Sequence, residues 1–462
     1  MPFPSPKICY HHGLITVDFG GQQPLPSGLG FLIWDPRQRL FVAEAIRYRE
    51  LIRHLYTQGL RPGRDYTDSA PNYEHLEIKI QKTHPARDYQ LEALAAWLKA
   101  KRGQCVLPTG SGKSYLALLA MAEIGRASLI LAPTIDLILQ WQTNPTEALG
   151  CEIGLLGGGS HEIRPITVAT YDSARIHAEA MGNRFGLMIF DECHHLPAPG
   201  YAAMAKSFLA PYRLGLTATP DEDPARAALS NEVLGPICYQ KQIQQLSGQT
   251  LAPYETRLIE VELTPEEREE YEFQRRQYLE FRDAMGENFS RPGAWERFVQ
   301  RCYQSPAGRE ALAAYRRQKE LTHSSRAKVE QIGLLLARHQ EERVLIFTAD
   351  NKTAYNIACS FCLPLITFET KAKERKEILN NFKSGRWPFL VNSRVLNEGV
   401  DVPEAGVAIV VSGTATVREH VQRLGRILRA QAGKRAVLYE LVTVGTTEIY
   451  ASRRRREHGA YR

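Results

Sequence analysis

Three short segments carry side chains whose types and spacing suit phosphoryl transfer. Residues 107–114 read Leu-Pro-Thr-Gly-Ser-Gly-Lys-Ser. Pro108 and Thr109 lead into Gly110, Ser111 and Gly112, and the two glycines let backbone N–H groups curl around a phosphate at a helix N-terminus. Lys113 has the reach for β- and γ-phosphates, and the Ser114 hydroxyl can hold Mg²⁺. The small residue that usually opens such a loop is Leu107 here, so the strict pattern fails by one position. Residues 191–194 read Asp-Glu-Cys-His after the apolar run Leu187 to Phe190. An acid at the C-terminal end of a buried strand sits where phosphates and metal gather. Asp191 is the candidate Mg²⁺ ligand, directly or through water, and Glu192 the candidate base or orienter of attacking water. A helix cap would explain one acid but not its pairing with the loop. Gln422, Arg426 and Arg429 share one face at helical spacing. Arginines three apart can bracket a γ-phosphate, although alone they would read as a basic surface helix. His194 and His195 are open as metal ligands or as a coupling to Thr217 and Thr219, and the carboxylates beside them favour the coupling.

Positioning these groups takes strands that end together. Cys105 to Leu107 is an apolar strand end, and a helix through Leu116 and Leu119 follows the loop. Short apolar runs alternate with helical stretches at Ser128 to Ala132, Ile166 to Ala169, Leu187 to Phe190 and Arg213 to Leu216. The alternation returns at Val344 to Phe347, Leu363 to Thr367, Pro388 to Asn392, Val407 to Val411 and Ala436 to Tyr439. Buried parallel strands with crossover helices give this pattern, so two α/β units are expected. Between them, residues 264–326 read as a charged helical insertion that opens on a capping box, Thr264-Pro265 with Glu267. Residues 1–82 read as a separate α+β unit. It has a hairpin around Asp35-Pro36 and a helix with Ala45, Tyr48, Ile52 and Leu55 on one face, stopped at Gly59.

Composition narrows the class. The 462 residues suggest about three domains, and 44% apolar residues exclude disorder as the main state. The net charge of +7 is modest, but eleven basic against four acidic residues between Thr416 and Arg462 carry all of it. A basic C-terminal stretch suggests a polyanion, with nucleic acid first, or else a solvated tail. No apolar run nears the ~18 residues of a membrane span, and Met1 to Lys7 holds no apolar signal core. A soluble cytoplasmic, nucleoid-associated protein without a membrane partner is expected. Eight scattered cysteines suit a reducing compartment. The one close pair, Cys359 and Cys362, could be half of a metal site or a redox pair. With no second pair near it, structural cysteines are the better reading.

The three motifs, in this order, resemble superfamily 2 helicases and translocases over nearly all of residues 87–457. Leu216 to Pro220 (L-T-A-T-P) is similar to the coupling motif of that superfamily, and Arg394 to Val402 (R-V-L-N-E-G-V-D-V) to its fifth motif. Ala132 to Leu137 and Thr167 to Asp172 resemble the strand-end motifs that hold a nucleic-acid backbone. Arg87-Asp88-Tyr89-Gln90 resembles the adenine-recognition segment. Within the superfamily, several features resemble the XPB group in its compact archaeal or bacterial form. They are Leu107-Pro108, Asp136-Leu137 with Trp141, Asp191 to His194, Tyr48-Arg49-Glu50, and the end from Gln422 to Arg429 with Val437 to Leu441 and Arg453 to Arg456. The related XPD group needs four cysteines between the first two motifs, and only Cys151 and Cys193 lie beyond the phosphate loop up to that point. One departure stands out. The family's Arg-Glu-Asp after the coupling motif is Asp221-Glu222-Asp223 here, with Arg226 three residues later.

The resemblance implies two RecA-like parallel-sheet domains in tandem, over residues 83–245 and 246–462. A thumb-like helical insertion sits in the second, and a damage-recognition-like domain spans 1–82. It implies ATP and Mg²⁺ in the cleft between the RecA-like domains, adenine read by Arg87 and Gln90, and Gly399 and Asp401 contacting the nucleotide. Thr134, Thr170, Thr348 and Ser393 would grip the phosphates of one DNA strand. The implied activity is ATP-driven movement on DNA, 3′ to 5′, that remodels or unwinds forked or damaged duplex in repair. A monomer working with a separate nuclease is expected. The alternatives are an ATP-regulated clamp on damaged DNA that does not unwind processively, and an RNA helicase.

Overall fold

The computed structural model describes residues 5–21, 25, 27–81, 85–246, 253–286, 289, 293–393, 405–412 and 436–456. The chain forms two compact units, one within Met1–Gln242 and the other from Ile243 onward.

The first unit opens with a small sheet of strands β1 (Lys7–His11), β2 (Leu14–Asp18), β3 (Ile33–Asp35), β4 (Leu40–Glu44) and β5 (Thr67–Asp68), in the order β3-β4-β2-β1-β5. Helix α1 (Tyr48–Thr57) covers it, with Tyr48, Leu51 and Leu55 packed on Ile8, Ile15 and Val17. This domain does not stand apart. Leu209, from the following α/β domain, completes its core, and the Tyr10 hydroxyl donates to the Ser207 carbonyl at 3.1 Å. The Arg49 guanidinium reaches Ala100 O at 2.5 Å and Pro211 O at 3.3 Å. Arg49 therefore ties helix α1 to the next domain. The hairpin expected around Asp35-Pro36 is β3–β4, while β1 and β2 carry no turn signal in the sequence strong enough to announce them.

The next domain alternates helices and strands: α2 (Asp88–Leu98), β6 (Arg102–Val106), α3 (Lys113–Ile124), β7 (Ser128–Ala132), α4 (Ile135–Leu149), β8 (Gly154–Gly157), β9 (Ser160–His161), β10 (Ile166–Thr170), α5 (Tyr171–Met181), β11 (Leu187–Asp191), α6 (Tyr201–Lys206), β12 (Tyr212–Thr217), α7 (Pro224–Leu234) and β13 (Ile237–Gln240). The sheet order is β13-β6-β12-β11-β7-β10-β8-β9, parallel except for β9. Every residue of β7, β10 and β11 is buried. Helices cover both faces, which is why these strands read as continuous apolar runs.

The second unit begins with α8 (Ile243–Leu246) and β14 (Tyr254–Val261), followed by α9 (Pro265–Ala284), α10 (Ala294–Tyr303), α11 (Pro306–His323) and α12 (Arg326–Arg338). The capping box is fully formed: Thr264 Oγ1 accepts from the Glu267 N–H at 3.2 Å and Glu267 Oε2 from the Thr264 N–H at 3.0 Å. Then come β15 (Val344–Thr348), α13 (Asn351–Phe361), β16 (Leu365–Ile366), α14 (Ala372–Lys383), β17 (Phe389–Ser393), β18 (Val407–Val410), β19 (Ala436–Thr443) and α15 (Glu448–Arg456). Their sheet is parallel, in the order β14-β19-β18-β15-β17-β16. The strand expected at Leu363 to Thr367 shrinks to two residues at the sheet edge. Cys359 lies on α13, Cys362 caps it at φ +52°, and both are exposed free thiols. Among the described residues no helix is long and apolar enough to cross a membrane, and no cluster of three His, Cys, Asp or Glu could hold a metal.

The second unit is locked by a buried ion pair. Lys328 on α12 is fully buried. Its ammonium donates to both carboxylate oxygens of Glu448 at 2.8 Å and to Val411 O at 2.6 Å. Removing one partner strands the other charge in a low-dielectric interior. Lys328→Met should lower the stability of this unit by about 3–5 kcal/mol, and Lys328→Met with Glu448→Leu should recover most of that loss. Urea unfolding of the full chain measures both; equal stabilities for wild type and the single variant would refute the pairing.

Candidate active site

Strand β6 delivers the phosphate loop. The Leu107 N–H donates to Thr217 O at 2.9 Å, so the loop starts level with the end of β12. Gly110 (φ +82°) and Gly112 (φ +80°) take the left-handed conformation that side chains resist. A Cβ on Gly112 would lie 2.6 Å from Gln90 Nε2, so this position must also stay small. Ser111 Oγ turns back to Pro108 O at 2.7 Å, and Gly112 caps α3. Lys113 and Ser114 begin that helix. Lys113 is buried, with Nζ 3.4 Å from Leu107 O and 4.0 Å from Glu192 Oε1, while Ser114 is exposed. Thr109 Oγ1 is buried and has no hydrogen-bond partner among the described residues.

Strand β11 delivers the carboxylates. Asp191 is held on both oxygens: the Trp141 indole N–H donates to Oδ2 at 2.8 Å and the Glu192 N–H to Oδ1 at 3.1 Å. The Tyr171 hydroxyl donates to its carbonyl at 3.0 Å. Burial first, and the neighbouring Glu192 charge second, push the Asp191 carboxyl up to about 6; the Trp141 hydrogen bond and Lys113 pull the other way. Glu192 sits at φ +46°, a conformation uncommon for a side-chain-bearing residue, and this turns its carboxylate toward Lys113.

Behind Glu192 runs a polar chain. His194 Nδ1 lies 3.5 Å from Glu192 Oε2 and 3.0 Å from Thr217 Oγ1. The Thr217 hydroxyl donates to Thr219 O and accepts from the Thr219 N–H, both at 3.1 Å. A hydroxyl has one proton, so if Thr219 O receives it, His194 Nδ1 is the donor to Thr217. The chain links the carboxylates to the segment that follows β12. The His195 ring lies beside that of His194, tilted by 35° with centroids 4.4 Å apart. Arg226, on α7, faces back to this chain: Nε lies 3.1 Å from Asp221 Oδ1 and an Nη donates to His194 O at 3.2 Å.

The other expected positions fall into place unevenly. Arg87 and Gln90 open α2, where Gln90 Oε1 accepts from the Arg87 N–H at 3.0 Å. Gln90 Nε2 donates to Ser111 O and Gly112 O, both at 3.1 Å, so its amide braces the phosphate loop. Thr134 accepts from the Leu137 N–H at 3.3 Å and Thr170 from the Ser173 N–H at 3.1 Å, as caps of α4 and α5. Thr348 and Ser393 differ from the expectation of a hydroxyl turned to a ligand. Thr348 is fully buried and donates to Asp350 O at 3.0 Å; Ser393 is buried and donates to Asn351 Oδ1 at 2.6 Å. Gly399, Asp401, Gln422, Arg426 and Arg429 lie outside the described residues. The indole on Asp191 was not foreseen as a contact; Trp141 is conspicuous in sequence only for its nearness to Asp136-Leu137.

Comparison with known proteins identifies the family. A family model described as "Type III restriction enzyme, res subunit" matches residues 83–222, and one described as "ERCC3/RAD25/XPB C-terminal helicase" matches 308–459. The DNA 3'-5' translocase XPB2 of Sulfurisphaera tokodaii is 41% identical over 92% of this chain and 96% of its own length. The DNA 3'-5' helicase XPB of Mycobacterium tuberculosis is 31% identical over 86% of this chain and 67% of its own. Among solved structures, the Hef helicase domain of Pyrococcus furiosus superposes with a TM-score of 0.51 at 20% identity. That match covers 80% of this chain and 98% of that one, and it bears on the fold alone. With 41% identity along nearly the whole length of one such relative and a matched C-terminal model, the chain belongs to the XPB family of DNA helicases and translocases.

Proposed function

We propose that the protein hydrolyses ATP to move along DNA, with the 3′-to-5′ direction that its relatives' names carry. The observation that carries this reading is the buried Lys113 ammonium facing Glu192, whose carboxylate continues through His194 to Thr217 and Thr219. The loop N–H groups and Lys113 would hold the nucleotide phosphates. The unpartnered Thr109 hydroxyl, the two left-handed glycines and the oxygen donors Asp191 and Ser114 suit a Mg²⁺-bound triphosphate. The metal would neutralise charge on the phosphate oxygens. Glu192 would orient the attacking water and take its proton. Lys113 alone does not balance the charge that develops on a departing phosphoryl group, and Gln422, Arg426 and Arg429 are the sequence's candidates for the rest. Gly399 and Asp401 are proposed to sense the nucleotide. Gln90 would pass adenine occupancy directly to the loop it braces.

DNA would be gripped through its backbone, with weak sequence preference and marked salt dependence. The helix N-termini capped by Thr134 and Thr170 supply N–H donors for phosphate. Thr348 and Ser393 are proposed to act indirectly, by fixing the turn through Asp350 and Asn351. With no Arg at the Asp221-Glu222-Asp223 position, translocation is favoured over strong strand opening. A separate nuclease partner, a monomeric motor and a cytoplasmic setting complete the proposal.

Lys113→Ala should lower DNA-stimulated ATP hydrolysis by about 10²–10³-fold while leaving the circular dichroism spectrum unchanged. Undiminished phosphate release would sink the site assignment. Matched DNA and RNA strands separate the DNA reading from an RNA helicase, and a strand-displacement assay separates a motor from a clamp. Trp141→Phe removes the hydrogen bond that lowers the Asp191 carboxyl, so that carboxyl should ionise at higher pH than about 6. The acid limb of kcat/KM for ATP, which reports the free enzyme, should then move to higher pH, with the rate preserved at pH 8.5. An unmoved limb would remove Asp191 from that role.

A further inference from the structure

A cavity of ≈ 380 Å³ opens between the N-terminal domain and the first α/β domain. Arg49 and Arg53 of α1 line one side, and Lys99 and Arg102, flanking the start of β6, line the other. The one acid on its wall, Glu232, is already paired with Lys206 at 2.5 Å. Four cations thus converge, and the acid Glu50, outside the lining, is paired with Arg47 and acts weakly on Arg102. Two of them have a structural role. Arg49 holds the domain junction through Ala100 O and Pro211 O, and Arg102 donates to Val233 O at 2.7 Å. Even so, the buried Arg102 Nε has no hydrogen-bond partner among the described residues. The other two have no such role: Arg53 and Lys99 are exposed, and their side chains make no hydrogen bond or ion pair among the described residues. The crowding of basic groups at this junction is felt by Arg102 and Arg49. Burial, then Arg49 and Arg47, lowers Arg102 to about 10, and burial, then Arg53, lowers Arg49. An anion would relieve both effects.

The position is informative. Lys99 and Arg102 lie at the N-terminal end of β6, and Gly235 and Pro236 just before β13. The phosphate loop and the Thr134 and Thr170 caps follow the C-terminal ends of parallel strands in the same sheet. Strand β6 alone separates the two edges by about 13 Å. The cavity therefore belongs neither to the nucleotide site nor to the strand-end track.

We propose that this junction cavity is a second phosphate site, which holds the backbone of duplex DNA flanking the strand engaged by the motor. The proposal rests on the reading of the protein as a DNA translocase. A free polyphosphate shares the chemistry, and the test separates the two.

The test uses the full chain carrying Arg53→Ala and Lys99→Ala, two exposed residues outside the ATP site. Fluorescence anisotropy follows a fork with a long duplex arm and a short single strand at several salt concentrations. The Kd for the fork should rise about three- to tenfold, and the slope of log K against log salt should fall by about one to two. Single-strand affinity and ATP hydrolysis without DNA should stay the same, and Arg53→Lys with Lys99→Arg should restore fork binding. An unchanged fork Kd and slope would overturn the site, as would an equal loss on both DNAs. Calorimetry with tripolyphosphate is the second arm: binding lost in the double variant while fork affinity stays intact would overturn the DNA assignment in favour of a free anion. A wild type that binds no DNA would bring down the translocase reading and this site together, whereas a wild type and variant that bind the fork equally well would bring down only the site.

Discussion

A lysine ammonium in an almost dry pocket needs a negative neighbour, and the first α/β domain is organised around meeting that need. Lys113 lies 4.0 Å from Glu192, and among the described residues it is otherwise offered a single carbonyl, Leu107 O. An ion pair at that distance is incomplete, which leaves room for phosphate oxygens to replace the carboxylate as the main partner. Glu192 is then released toward His194. The pair is thus an exchangeable contact rather than a fixed brace. The strands on either side set its geometry: β6 places the lysine and β11 the acid, with β12 hydrogen-bonded between them.

The same constraint explains why polar residues cluster where they do. Strands buried on both faces cannot carry ionisable groups along their length without a large desolvation penalty. The chemistry is therefore confined to their ends. At the C-terminal ends it is catalytic, with Asp191, Thr217 and the phosphate loop within one polar chain. Around the N-terminal end of β6 it is a group of guanidinium and ammonium groups shared with α1. Away from these ends, the fully buried Arg213 is held by backbone carbonyls, donating to Ala210 O, Phe208 O and Val233 O.

Local backbone demands made much of the catalytic edge legible in sequence. Gly110 and Gly112 are needed at their places by φ, and the runs at β7, β11 and β15 are apolar because both faces are covered. What stayed hidden depends on contacts distant in sequence. The Trp141 indole meets Asp191 fifty residues away, and nothing in the intervening chain encodes that meeting. Thr348 and Ser393 end strands, and a strand end does not tell whether a hydroxyl faces solvent or the next turn. Strand β14 escaped notice because its half-buried sequence, Tyr254–Val261, has neither a clear alternation nor a solid apolar run. Arg49 stood out within Tyr48-Arg49-Glu50 only by resemblance; its meaning, a bond between two domains, needed Ala100 and Pro211 to be placed.

Strand β14 has one further consequence. Its sole strand neighbour in the described sheet is β19, paired over eight residues from Tyr254↔Ala436 to Val261↔Thr443. During synthesis the ribosome must add some 180 residues after β14 before that neighbour exists, and Glu448, the counter-charge for Lys328, emerges later still. The first unit has all its strands by Gln240. One half of the motor can therefore fold while the chain is still growing, but the other must wait for its last residues. Until then β14 presents an unpaired edge, and this interval is where the nascent chain is most exposed to misassembly.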